Sequence, residues 1–344
     1  MKTGVSKPTR RSVLGLGAGA VAGLALPSIV AKGYAKSGPD TINLQLSWIP
    51  NSNQLGDIVA KQLGYFEEEG LDFRLQAGGP NNNGIPIVVS GQYEVGEIAG
   101  STNLMLAAAQ GLPLRGFAAG LQKHPFAFLS KSENPVKKAA DFRGKKVGLS
   151  ITSVIQLQGV LKLNGIDPKE VEIIPIGSDF TPLLTGQVDV VSAWLSNTTA
   201  IKKLGPGIEK LSLWDTGVKL YANVYYATPE TLATKAELLA RFTKAVARGW
   251  GFAHEHPDKA VDLLIKEIPS LDAADELDAA KVILAHSFNE DTARLGWGTM
   301  DPERWQKEID LAASLGQLPH SPALEEVVTF SVLKATTDSR PKLA

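Results

Sequence analysis

The chain predicts an α/β fold of two similar lobes, each a mostly parallel sheet flanked by helices, with a helical C-terminal region packed on the first lobe. Three observations carry this. Strand-like and helix-like segments alternate from Thr41 onward, the pattern of βαβ units with right-handed crossovers. The alternation then starts again near Ala139 with the same landmarks. The last third repeats its apolar residues at i, i+3 and i+4, the period of amphipathic helices.

In the first series, "TINLQLSW" (41–48) reads as a strand. "QLGDIVAKQLGYFEEEG" (54–70) reads as an amphipathic helix with a glycine stop. "LDFRLQA" is a second strand, "PIVVSG" a short helix, "EVGEIAGS" a third strand, "NLMLAAAQG" a helix and "LRGFAAGL" a strand. The second series runs "KKVGLS", "VIQLQGVLKLNG", "VEIIPI", "FTPLLTGQ" and "VDVVSAW" as strand, helix, strand, helix, strand. Gly70 and Gly165 are 95 residues apart, as are Gly91 and Gly186. Each pair marks a glycine stop before an acidic strand start, so the two series read as one unit used twice. "YANVYYAT" (221–228) is the strand that returns the chain to the first lobe, and "PETLATKAELLARFTKAVARGWGFAHEHPDKAVDLLIKEI" is helical.

These boundaries predict a first lobe of residues 41–125 and 226–335 and a second of 126–225. Residues 1–35 stand apart. Arg10 and Arg11 precede a Gly/Ala/Leu/Val run with small residues near Gly33 and Ala35, the charged, apolar and cleavable regions of an export signal. The arginine pair points to the twin-arginine route, which implies a periplasmic protein; an uncleaved anchor helix is the alternative. "GLGAG" lies inside this segment with no strand before it, so it is no dinucleotide loop. The segment holds five cations and no acid, and its removal moves the formal net charge from −1 to −6. An acidic protein without a basic stripe has no electrostatic reason to bind nucleic acid. With no cysteine in 344 residues, disulfides, thiolate metal sites and a cysteine nucleophile are excluded.

In parallel α/β sheets ligands bind beyond the carboxyl ends of the strands, beside helix N-termini. Those ends hold Trp48 with Asn51, Asn53 and Gln54; "GGPNNN" with Asn82; Ser101; Gln122, Lys123 and His124; Ser150 and Thr152; Trp194 with Asn197. Amides and hydroxyls beside aromatic faces suit a flat, polar, largely uncharged ligand. The asparagines also cap and turn, and either tryptophan also fits core packing. Enzyme signatures are absent: no G-x-S-x-G, H-E-x-x-H or Walker loop occurs. His254 and His256, two apart on a helix, point away from each other and make no metal pair. His286 and His320 read as ordinary helix and loop residues.

"LSWIPNSNQLGDIVAKQLGYFEEEGLDFRLQAGGP", "VVSGQYEVGEIAGSTNLMLAAAQGLPLRGFAA", "DFRGKKVGLS", "LTGQVDVVSAW" and "YATPETL" resemble the periplasmic solute-binding proteins of ABC importers, over nearly all of the chain after the signal. That family holds binders of nitrate, taurine and alkanesulfonates, and a branch that binds pyrimidine precursors of thiamine. "W-x-P" after the first strand, "AGGP" and "YANVYYATPETL" are most similar to the last branch. The resemblance implies a two-lobe periplasmic-binding-protein fold that closes on its ligand, and a membrane permease as partner. It implies a monomer with no cofactor and no metal. Trp48 and Trp194 are then expected to wall the ligand, and Asn51, Asn82, Ser101, Thr152, Asn197 and Tyr221 to hydrogen-bond its edge. The fungal pyrimidine synthase on the same framework has a cysteine-rich motif and a histidine where this chain has "PNSNQ", and the departure argues for binding. A sulfonate or nitrate receptor is the alternative; an exported enzyme with an unrecognised site is the alternative of another class.

Overall fold

The computed structural model describes residues 38–79, 84–150, 153–177 and 179–344. The expected signal and two expected site residues, Asn82 and Thr152, lie outside them. From the N-terminal side the chain forms β1 (Asp40–Leu46), α1 (Leu55–Gln62), α2 (Tyr65–Glu68), β2 (Leu71–Gln76), α3 (Ile85–Val89), β3 (Val95–Gly100), α4 (Ser101–Ala109) and β4 (Arg115–Leu121). It continues through β5 (Phe126–Lys131), β6 (Lys146–Leu149), α5 (Val154–Leu163), β7 (Glu172–Pro175), α6 (Thr181–Leu184), β8 (Val190–Trp194), α7 (Thr198–Lys202) and β9 (Ile208–Ser212). Then come β10 (Ala222–Ala227), α8 (Pro229–Thr234), α9 (Ala236–Glu255), α10 (Pro257–Glu267) and α11 (Ala273–Ser287). The chain ends with α12 (Glu290–Leu295), α13 (Pro302–Ser314), α14 (Leu324–Val327) and α15 (Ser331–Ala335).

Two five-stranded sheets result, ordered β2-β1-β3-β10-β4 and β7-β6-β8-β5-β9. The orders match strand for strand, and the glycine repeat follows them. Gly70, Gly91, Gly165 and Gly186 have φ of 69°, 73°, 61° and 75°. Left-handed backbone of this kind suits glycine, and it turns the chain at equivalent points of each lobe. The two sheets are mixed rather than wholly parallel. β1 runs parallel to β2 and β3, but β10 is antiparallel to both β3 and β4. Likewise β5 is antiparallel to β8 and β9. The reason is topological: each reversed strand begins just after the chain crosses from the other sheet, so it enters from the carboxyl ends of its neighbours.

Burial follows the strand pattern. Ile42, Leu44 and Leu46 of β1 are fully buried, and so is Gln45 between them, as expected for a strand covered on both faces. One core joins the first sheet to α9, α10, α11 and α13; the second sheet has a separate core on each face. The C-terminal helices therefore pack on the first sheet, as expected. Their tightest contact is between α1 and α9. A Cβ on Gly249 would lie 2.0 Å from the Gly56 carbonyl oxygen, and one on Gly56 would lie 2.2 Å from the Trp250 ring. Backbones this close leave room for glycine alone. Trp250 in turn stacks on Trp297 at 5.9 Å, and Phe66, Phe73 and Phe242 form a neighbouring aromatic cluster.

Candidate functional site

The carboxyl ends of the strands in the two sheets meet along a seam. On the first sheet, the loop after β1 carries Trp48, half exposed at 51%, so core packing does not account for it. Gly78 crosses this loop: its N–H donates to the Trp48 carbonyl at 3.0 Å, and a Cβ there would lie 2.3 Å from Leu46 O. Asn51 is a helix cap. Its Oδ1 accepts from Asn53 N at 2.9 Å and Asn53 Nδ2 at 2.7 Å, and its N–H donates to Gln54 Oε1 at 3.3 Å. This reciprocal cap occupies the carbonyl end of the Asn51 amide, so the expected ligand role of that residue is narrowed to its Nδ2.

Beneath the loop lies a buried polar cluster that sequence reasoning missed. Gln54 Nε2 donates to Glu97 Oε2 at 2.7 Å, and the Tyr225 hydroxyl donates to the Asp57 carboxylate at 2.8 Å. Glu97 and Asp57 are 2% and 0% exposed. Burial pushes Glu97 up to about 8, against the pull of Gln54 and with the added repulsion of Asp57. Burial likewise pushes Asp57 up to about 7, opposed by Tyr225. The pair holds the cap from below, with Glu97 mostly protonated near pH 7 and Asp57 poised between its two forms.

The middle of the seam is formed where the chain crosses between sheets. Trp194 packs against the cores of both lobes, and its ring lies 4.9 Å from that of His124. His124 is buried; a Cβ on Gly100 would lie 3.0 Å from its Nε2. Burial drives its pKa down to about 3, with a further push from His286, so the ring is neutral. Asn223 has φ of 48°, a left-handed conformation that asparagine adopts more readily than most residues with a side chain. It donates through Nδ2 to Asn53 O at 2.7 Å. Ser196 Oγ reaches Asn53 Oδ1 at 3.4 Å, joining the loop after β8 to the loop after β1. Asn197 lies beside it, exposed, at the start of α7. Nearby Lys202 pairs with Asp278 of α11, a second bridge across the seam.

At the other end, Ser101 opens α4 and is fully buried, its N–H donating to Tyr221 O at 3.1 Å. Tyr221 is committed to packing. Its ring stacks on Trp305 at 5.4 Å and under the Arg304 guanidinium at 3.5 Å, and its hydroxyl accepts from Asp301 N at 2.8 Å. That corrects the expectation of a free hydroxyl at the ligand's edge: α13 covers it. Beside Tyr221, a pocket is lined by Thr102, Met105, Gln156, Glu308, Leu311 and Gln317. It lies between α4 and α13 on one side and α5 on the other.

The structure thus gathers Asn51, Trp194 and Asn197 near the crossing, while Ser101 and Tyr221 are buried beside the pocket and do not line it. The residues missed are Glu97, Asp57, Asn223, Arg304 and Glu308. The signal for Glu308 alone was present: it lies on the apolar stripe of α13 with Trp305, Ile309 and Ala312. Among the described residues no group of three or more His, Asp or Glu could hold a metal ion.

Two α/β lobes with doubled strand order, joined at a seam of strand ends, have the fold of the periplasmic binding proteins. The alkanesulfonate-binding protein SsuA from Xanthomonas axonopodis pv. citri, bound to MOPS, superposes with a TM-score of 0.63 at 15% identity, over 85% of this chain and 99% of its own. The chain belongs to the NMT1/THI5-like family, whose model matches residues 51–260. It is 26% identical over 289 residues to the riboflavin-binding protein RibY of Chloroflexus aurantiacus, covering 80% of this chain and 81% of that one. It is 24% identical over 281 residues to a formylaminopyrimidine-binding protein of Halalkalibacterium halodurans, covering 78% and 84%. Synthases of 4-amino-5-hydroxymethyl-2-methylpyrimidine phosphate also match, at 22 to 24% identity.

Proposed function

We propose that this protein is the exported binding component of an ABC importer. It captures a small, flat heteroaromatic molecule between its lobes and delivers it to a membrane permease. The ligand is a pyrimidine precursor of thiamine or a related heterocycle. The observation that carries the reading is the seam itself, where neutral hydrogen-bonding groups and the ring of Trp194 meet between two sheets. His124, neutral by burial, and Asn53, Ser196 and Asn223 offer donors and acceptors without fixed charge. Trp48, exposed beside the seam, is placed to close over a ring.

The lobes in this reading are residues 41–125 with 226–335, and residues 126–225; β10 pairs within the first sheet from Ala222 onward, so the second crossing falls just before it. Export by the twin-arginine route is read from Arg10 and Arg11. A monomer that binds and releases without chemistry is the proposed working form. The relatives named as binding proteins support it, as does the absence of cysteine and of a histidine in "PNSNQ". Mass spectrometry of small molecules released from gently purified protein tests the reading directly. A bound pyrimidine or flavin-like heterocycle is expected; a sulfonate in its place refutes the ligand class, and a covalently altered substrate refutes the non-enzymatic role.

A further inference from the structure

The two lobes touch along two lines of different character. Along one, α13 of the first lobe packs Leu311 against a core of the second, and Gln317 Nε2 donates to Ile155 O and Gln158 Oε1 of α5, each at 3.3 Å. Apolar contact resists parting because parting returns its surface to water. Along the other, α7 of the second lobe meets α11 of the first through polar groups. Lys202 pairs with Asp278, and Thr198 Oγ1 donates to Asp275 O at 3.5 Å. Just before α7, Ser196 Oγ reaches Asn53 Oδ1 at 3.4 Å. The side chains of Lys202 and Asp278 are 57% and 39% exposed, so this line parts readily, each group regaining water.

The helix α11 is fixed to its own lobe. Ala279, Ala280, Ile283 and Leu284 are buried, and Ser287 Oγ donates to Gly120 O at 2.6 Å. Its Glu276 carboxylate accepts from the Ser52 N–H at 2.9 Å, so the same helix holds the loop after β1 that carries Trp48. Its acids also draw on α7: Asp278, then Asp275 and Asp272, hold the Lys202 ammonium above its usual pKa. Lys281 of α11 approaches Asp278 only to 3.9 Å.

We propose that α11 is an electrostatic latch, which holds α7 against the first lobe and sets how much of the chain is closed before any ligand binds. The contacts are all between the chain's own groups, so the latch does not depend on which ligand the cleft takes. The line along α13 stays together while the polar line along α7 parts and rejoins. Since ligand is held by the closed form, apparent affinity scales with the closed fraction.

Small-angle X-ray scattering of the dialysed protein, fitted as a mixture of closed and open forms, tests this. Lys202→Glu sets a negative charge against the three aspartates and is expected to lower the closed-to-open ratio at least about threefold. Adding Asp278→Lys to it should bring the ratio back toward the wild-type value. Raising salt from about 0.01 to about 1 M shortens the Debye length from about 30 to about 3 Å, and should lower the wild-type ratio. Lys281→Glu makes the same charge change at a residue that pairs within α11 itself, and should not open the chain. The latch is overturned if Lys202→Glu scatters as the wild type does, if the double variant scatters as Lys202→Glu does, if salt leaves the wild-type ratio unchanged, or if Lys281→Glu opens the chain equally. Each of these results leaves the binding-protein reading standing.

Discussion

Glu97 offers the sharpest test of the cluster beneath the Asn51 cap. Its folded pKa of about 8 lies above the ordinary value of 4.5, so the folded chain holds a proton that the unfolded chain releases in that window. The unfolded state then binds fewer protons, and stability falls as pH rises, by at most about 1.4 kcal/mol per pH unit for each such group. The loss begins above the unfolded pKa and ends above about pH 8. Between pH 5.5 and 7.5 the contribution of Glu97 is about 3 kcal/mol at most, or about 5 °C in Tm for a chain of this size. Glu97→Gln removes the titration and keeps an acceptor for Gln54 Nε2. Asp57, freed of a neighbouring charge, becomes easier to ionise. The assay is Tm by calorimetry from pH 5 to 8.5 for both chains. The wild-type curve should slope down, and the variant curve should be flatter and lie above it at high pH. Parallel curves would show that Glu97 is not a buried acid of raised pKa, and the argument for a neutral platform would fail.

Gly249→Ala drives a Cβ to 2.0 Å from a backbone oxygen that no rotamer change can move; overpacking of this kind costs about 3 kcal/mol or more, and Tm by calorimetry should fall by at least about 5 °C. Trp48→Ala, at an exposed position, should leave Tm unchanged without ligand and weaken heterocycle binding about tenfold by calorimetry, an effect in the range of lost stacking plus lost apolar area. Replacing Arg10 and Arg11 by lysine should hold the precursor in the cytoplasm in a fractionation assay, and normal export of that variant counts against the twin-arginine route. In a thermal-shift panel, heterocycles should stabilise the chain while taurine, alkanesulfonates and nitrate should not; stabilisation by sulfonates alone promotes the sulfonate receptor.

The lobes were legible because glycines punctuate them. Gly70, Gly91, Gly165 and Gly186 adopt left-handed φ that side chains resist, so a conformational need is written directly as a residue type. Strand direction leaves no such mark: "YANVYYAT" reads as a strand, yet its reversal depends on the side from which the chain arrives. The site divides the same way. Trp194 could be placed at a strand end by pattern, but Tyr221 could not be called covered, because Arg304 and Trp305 come from a helix some eighty residues on. The cap at Asn51 was written locally in the N-x-x-Q of "NSNQ".

The acids were the hardest part to read, since Asp57 meets Tyr225 168 residues away and acidic residues are ordinarily assigned to the surface. Their positions carry meaning of their own. Asp57 and Glu97 lie under one end of the seam and Glu308 at the other, all three nearly inaccessible to solvent. Ionised, each would cost more than its partners return; a fold selected for stability alone would fill these places with leucine or glutamine. Their hydrogen-bonding capacity is used within the fold: Asp57 and Glu97 accept from Tyr225 and Gln54 to hold the loop after β1 at one end, and Glu308 pairs with Arg304 of its own helix at the other.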